Sequence, residues 1–311
     1  MSDPKTATAA AESARGRKRL ADNPGRLGWL LLAPTLLYVF GLVALPLGLS
    51  LLYSVTNVTV SRLDYSFRGL DHFRAIFQNP AFWVALKNTF IYAIGAQVIV
   101  IIMGNVLALA LMKNFRGKWF VRLLILFPFV APVSLGALGW MWIFDPTYSV
   151  LNYMARAVHI LGPMERFYWL GPELGRFSIT LVNVWRTLPL ATIILVAGLG
   201  SIPQDIHDAA LMDGANFWRR HFQVTLPMIT PILMVATLFG LVFSFTDMVV
   251  IFILTKGGPF NTTHNLASLA YFTGVEAGDL GEGAAISLFL LPLLVVIAIL
   301  MLRVARRSEV I

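Results

Sequence analysis

Six stretches of the chain are apolar for long enough to cross a bilayer, and short polar or basic segments separate them. A helix needs roughly 20 apolar residues to cover about 30 Å of hydrocarbon. The first stretch lies between Arg26 and Arg62, with its apolar part over about 27–52. The others cover about 88–112, 123–144, 177–199, 229–254 and 283–302. A single charge, Arg186, interrupts the fourth, and a single acidic residue, Asp247, the fifth. The first stretch is longer than the roughly 7–15 apolar residues of a secretory signal, and no small-x-small cleavage site follows it. It therefore predicts a retained helix. The pattern predicts an all-α integral membrane protein with six transmembrane helices over residues 27–305, flanked by tails at 1–26 and 306–311.

Composition removes the soluble alternative. Of the 311 residues, 58% are hydrophobic and 13% charged, with a mean hydropathy of +0.75. A soluble domain has no place for that much apolar surface, whereas a bundle has lipid as its solvent. The net charge of +8 does not argue for nucleic acid, because the basic residues lie between apolar runs rather than on one domain face. They instead fix orientation. Six fall in the N-terminal tail, four in 113–122, two in 200–228 and three after residue 302. That places fifteen on one side against seven in loops 53–86, 145–176 and 256–282, so both termini are expected in the cytoplasm. The tail before residue 27 has no helix-period stripe and reads as a basic segment at the lipid surface. With no cysteine, neither a disulfide nor a thiolate metal site can form. The five histidines are scattered without metal-ligand spacing, and no P-loop is present.

The 200–228 loop is more than a connector. Ser201-Ile202-Pro203-Gln204 has the form of a capping box, with Ser as N-cap, Pro in the first turn and Gln at N3. It predicts a helix over about 202–220, with Pro227 breaking the chain before the fifth span. Ile206, Ala209, Ala210 and Phe217 recur at helical spacing beside Asp205, Asp208 and Asp213. Such a helix either lies in the lipid interface or docks into another protein. Ala209, Ala210 and Gly214 leave a side nearly free of side chains, which permits close approach by a partner. Gly214 also weakens a helix by roughly 1 kcal/mol relative to Ala, which points to packing or a bend there.

Asp208-Ala209-Ala210, three residues, Gly214, nine residues and Val224-Thr225-Leu226-Pro227 together resemble the Glu-Ala-Ala signature of permeases of binding-protein-dependent ATP-driven importers. Asp208 and Val224 depart conservatively from Glu and Ile. Leu254-Thr255-Lys256-Gly257-Gly258-Pro259 is similar to the Leu-Thr-x-Gly-Gly-Pro of maltose- and glycerol-phosphate-type permeases. Asn183-Val184-Trp185-Arg186-Thr187-Leu188-Pro189 resembles their Asn-x-Trp-x-x-x-Pro. The resemblance covers most of residues 85–305 and points to the carbohydrate branch of the family.

The resemblance implies a coupling helix that inserts into a cleft of a separate ATPase subunit. Asp208, Ala209, Ala210 and Gly214 would form its docking face, and Leu226-Pro227 would set the return to the membrane. It further implies a second homologous permease, two ATPase subunits carrying ATP and Mg, and an extracytoplasmic solute-binding protein over loops 145–176 and 256–282. The setting would be a bacterial or archaeal cytoplasmic membrane. This chain itself would hold no cofactor and no catalytic residue. By the same resemblance Asn183 matches a sugar-contacting Asn, and the Thr246-Asp247 region matches another contact. Trp140, Trp142 and Trp185 read first as interfacial anchors or bundle packing, with stacking on sugar second. Arg186 and Asp247 lie at similar depths, so they are expected to face the translocation cavity and either pair or share a solute. A secondary transporter or channel is the alternative class, and it would leave the cytoplasmic signature without a purpose.

Overall fold

A computed structural model describes residues 24–308. The chain divides into two compact units, residues 1–52 and 53–311. In the first, α1 (Pro24–Val39) passes through a π turn (Phe40–Ala44) into α2 (Leu45–Ser54), giving a helical run over Gly28–Ser54. The π turn ends two residues before Pro46. A proline ring clashes with the carbonyl four residues back and donates nothing to it, and a widened turn relieves both.

The second unit opens with an antiparallel hairpin, β1 (Thr56–Val58) and β2 (Leu63–Phe67), and the short α3 (Asp71–Gln78). The Asn79 side chain accepts from the Ala81 N–H, and Pro80 takes the first helical position. That start signal launches α4 (Pro80–Met112), so the helix of the second span begins eight residues before the expected 88. One face of α4 is buried, and small and polar residues dominate it: Ala85, Asn88, Thr89, Tyr92, Ala96, Gln97, Gly104 and Ala108 share it with only a few larger apolar ones, Phe82, Val100 and Leu111. In lipid the large apolar side chains gain nothing by turning inward, and small residues let helices approach closely. Accordingly α4 packs along α8 (Gly175–Gly200), where Gly104 meets Leu195 and Ala191.

The expected third span is two helices, α5 (Lys118–Val130) and α6 (Val133–Ile143), bent by 100°. Pro132 is the cause: it pushes Ala131 into an extended conformation (φ −65°, ψ 139°) that ends the helix. The 145–176 loop carries α7 (Val150–Ala157) and is tied by Asn152, which donates to the Phe167 carbonyl and accepts from the Trp169 indole N–H.

After α8 come α9 (Gln204–Met212), α10 (Phe217–Arg220), a π turn (His221–Thr225) and α11 (Leu226–Met228). The expected fifth span is likewise broken, into α12 (Thr230–Thr246) and α13 (Val249–Leu254), with Asp247 extended between them. The chain closes with α14 (Leu266–Tyr271), a π turn (Phe272–Glu276), α15 (Leu280–Leu288) and α16 (Leu290–Ser308). Among the described residues, four helical runs are long and apolar enough to cross a membrane: 28–54, 80–112, 175–200 and 280–306. Two bent pairs, α5 with α6 and 217–228 with α12, raise this to six if each is one crossing.

Candidate functional site

The 200–228 loop differs from expectation at both ends of its helix. Ser201 does not cap α9. Its hydroxyl donates to the Gly198 carbonyl and so finishes α8, while Pro203 takes the N-cap position with no side-chain bond. Pro203 presets φ for the start but offers no capping oxygen, and its carbonyl accepts the Ile206 N–H instead. At the other end the helix stops at Met212 rather than continuing to about 220. Gly214 is left-handed (φ +73°), with its N–H on the Leu211 carbonyl and the Ala215 N–H on the Ala210 carbonyl. That is a Schellman motif, and the glycine terminates the helix. Asn216 then caps α10 by accepting from the Arg219 N–H. The π turn His221–Thr225 again precedes a proline, here Pro227.

These terminators decide which face of α9 is available. Asp208, Ala209 and Gly214 are exposed, together with Ile206 and Met212. Ala210 is 8% exposed and faces the chain's own interior, so it is not on the free face where the signature placed it. Leu226 is half-buried and Pro227 exposed at the return toward α12.

A second cluster joins α8 to the α12–α13 break. Arg186 Nη1 lies 3.1 Å from Asp247 Oδ2, with the side chains 18% and 3% exposed. The contact is ionic and not aligned as a hydrogen bond, so Oδ2 has no hydrogen-bond donor. The other oxygen, Oδ1, accepts from the Val250 N–H, and the Asp247 carbonyl accepts from Asn265 Nδ2. Asp247 thus fixes the break, meets the cation of the neighbouring helix and holds the 255–265 segment. Beside it, Trp185 stands edge-on to Trp140 with ring centres 6.0 Å apart. Its ring lies over Gly136, where an added Cβ would come within 3.0 Å of it. Asn183 is buried. Thr246 is exposed, and its hydroxyl is spent on the Val242 carbonyl of its own helix.

The sequence reading missed a third group. Asn88 Nδ2 donates to the Thr262 and His264 carbonyls, the Tyr92 hydroxyl to the Thr263 carbonyl, and the Leu266 N–H to Thr89 Oγ1. These bonds pin the segment after Gly257-Gly258-Pro259 onto α4. The His264 ring is packed against Gly257, where any Cβ would collide with it. Burial pushes this imidazole down to about 4, so it is neutral at physiological pH. The signal was present as Asn88, Thr89 and Tyr92, polar groups at one-turn spacing inside an apolar stretch.

A profile for the binding-protein-dependent transport system inner membrane component matches residues 100–310, which includes the α9 loop and the Arg186–Asp247 cluster. The chain belongs to this family. It is 30% identical to the trehalose/maltose transport system permease protein MalF of Thermococcus litoralis, over 93% of this chain and 96% of that one. It is also 30% identical to the trehalose transport system permease protein SugA of Mycobacterium tuberculosis, over 95% of this chain and 93% of that one. Its fold matches a chain of a bacterial ABC transporter involved in the import of the acidic polysaccharide alginate. That match has a TM-score of 0.77 and 22% identity, and covers 90% of this chain and 95% of that one. The permease role expected from the loop signature is the role of the family.

Proposed function

We propose that this chain is one of two permease subunits lining the translocation path of an ATP-driven importer for a sugar or a sugar derivative. The observation that carries the proposal is the free face of α9. A nine-residue helix with Asp208 and Ala209 outward, stopped by Gly214 and anchored through Ala210, is a small rigid knob suited to a cleft in an ATPase subunit. Relatives named for trehalose and maltose transport support the sugar assignment. The basic residues on loops 113–122 and 200–228 support cytoplasmic termini, with α9 on the same side as the ATPases.

In this reading two ATPases close on ATP and draw paired coupling helices together. The spans tilt, and solute delivered by an extracytoplasmic binding protein to loops 145–176 and 256–282 enters beside Asn183, Trp185, Arg186 and Asp247. Trp185 offers an aromatic face, and the ion pair offers donors and acceptors to hydroxyls with no net charge. The chain, tagged and extracted in mild detergent, is expected to bring down a Walker-motif ATPase and a second permease. Proteoliposomes of that complex with its binding protein should accumulate labelled sugar only with ATP inside. Uptake by the chain alone, indifferent to ATP, would establish the secondary transporter or channel instead.

A further inference from the structure

Behind α9, on the side away from its free face, lies a cavity of about 330 Å³. Its polar lining comes from Gln204, His207, Arg220, His221 and Thr225, and no acidic residue contributes. The carboxylates of Asp205, Asp208 and Asp213 are exposed and absent from the lining, although Asp208 Oδ1 accepts one amide hydrogen of Gln204 at 3.2 Å from outside it. Three ion pairs occur among the described residues, and none involves Arg220. Its neighbour Arg219 is occupied by Gln223, with Nε donating to Oε1 at 3.0 Å.

His221 is 8% exposed, and its Nδ1 has no hydrogen-bond partner. The ring is held in place, stacked on Phe217 at 6.1 Å and 7° and edge-on to Phe222 at 5.1 Å. A buried polar nitrogen left unpartnered is costly unless something outside the chain meets it. The remaining walls are apolar, with Leu109 and Met112 from the end of α4 and Leu199 from the end of α8. Trp218 and Phe222, stacked at 6.0 Å, stand exposed on the same segment that supplies Phe217, Arg220 and His221 to the lining. Exposed aromatics next to arginines at the end of a span mark the headgroup layer.

We propose that this cavity binds the phosphate of an anionic membrane lipid. Arg220 supplies the charge, and Gln204, His207 and His221 supply hydrogen bonds. The apolar walls of α4 and α8 receive the upper part of the acyl chains. The volume suits a headgroup and not a whole lipid, so the chains continue into the bilayer. A lipid seated there props α9 from behind, so the mount of the coupling helix is part protein and part membrane. The site stands on its own lining and does not depend on the solute or on an ATPase.

The purified chain is to be examined by native mass spectrometry with phosphatidylglycerol and with phosphatidylcholine of matched chains. Phosphatidylglycerol should be retained in preference. Arg220→Gln should lower retention about fivefold, the worth of one basic residue at an anionic surface, and Arg220→Lys should restore most of it. Leu109→Trp, which fills the cavity without touching its charge, should lower retention as well, while Arg306→Gln should not. Equal retention by the wild-type chain, Arg220→Gln and Leu109→Trp would overturn the site. Displacement of phosphatidylglycerol by millimolar inorganic phosphate would overturn the lipid assignment in favour of a soluble phosphate.

Discussion

Arg186 and Asp247 are charges set within segments that are otherwise apolar, and each alone would cost at least about 2.5 kcal/mol in a membrane-spanning helix. Their contact at 3.1 Å explains how both are kept. Removing one partner strands the other in a site of low polarity, where a loss of about 3–5 kcal/mol is usual. Arg186→Gln and Asp247→Asn are therefore each expected to reduce solute uptake severely. The double variant should recover part of that loss, because it leaves no lone charge. The Arg186→Asp, Asp247→Arg exchange should recover less, since Asp247 also accepts the Val250 N–H and an arginine there cannot. Uptake rates corrected for membrane abundance, set out as a double-mutant cycle, test this. Strictly additive losses would refute the pairing.

The elements most altered from expectation are those that end on a proline or a left-handed glycine. In α9 the Schellman turn at Gly214 makes the helix short, and the short helix presents Asp208 and Ala209. A Cβ at Gly214 would meet nothing within 4 Å, so within this chain a substitution costs only its backbone conformation. That cost is roughly 1–2 kcal/mol for most residues and less for Asn. Gly214→Asn should thus insert and transport nearly normally, whereas Gly214→Trp should insert but move no solute while the ATPase subunits bound to it go on hydrolysing ATP. The comparison separates backbone strain from an obstructed docking face. Equal transport by both variants would show that nothing docks closely at Gly214.

At the scale of the whole molecule the testable quantity is the number of crossings. Six crossings require that each bent pair, α5 with α6 and 217–228 with α12, spans once in spite of bends of 100° and 72°. Single cysteines can be introduced freely, because the chain has none. Cysteines at Ser201 and Ser308 should react with an impermeant maleimide only from the cytoplasmic face, and one at Asn261 only from the opposite face. Labelling of Ser308 and Asn261 from one face would mean an odd number of crossings has been missed or miscounted.

What the sequence settled by itself follows from solvent and local chemistry. Apolar length against bilayer thickness marks the membrane segments, and the spacing Asp208-Ala209-Ala210…Gly214…Leu226-Pro227 marks the family. Both are properties of consecutive residues, so no neighbour in space can change them. Even the depth match of Arg186 and Asp247 was legible, as a count of residues from each helix end. Only the tertiary structure decided that the two side chains meet, since nothing local to either helix sets its rotation about its axis. The buried face of α4 was hidden for a related reason: in an apolar helix, size and polarity rather than hydrophobicity choose the inner side. Asn88 and Tyr92 find their acceptors at Thr262, Thr263 and His264, more than 170 residues away. Such bonds can be drawn only once packing has brought α4 against the 262–266 segment. The placement of Ala210 inward and Ala209 outward likewise belongs to packing, because two adjacent alanines are alike until a neighbouring helix covers one of them.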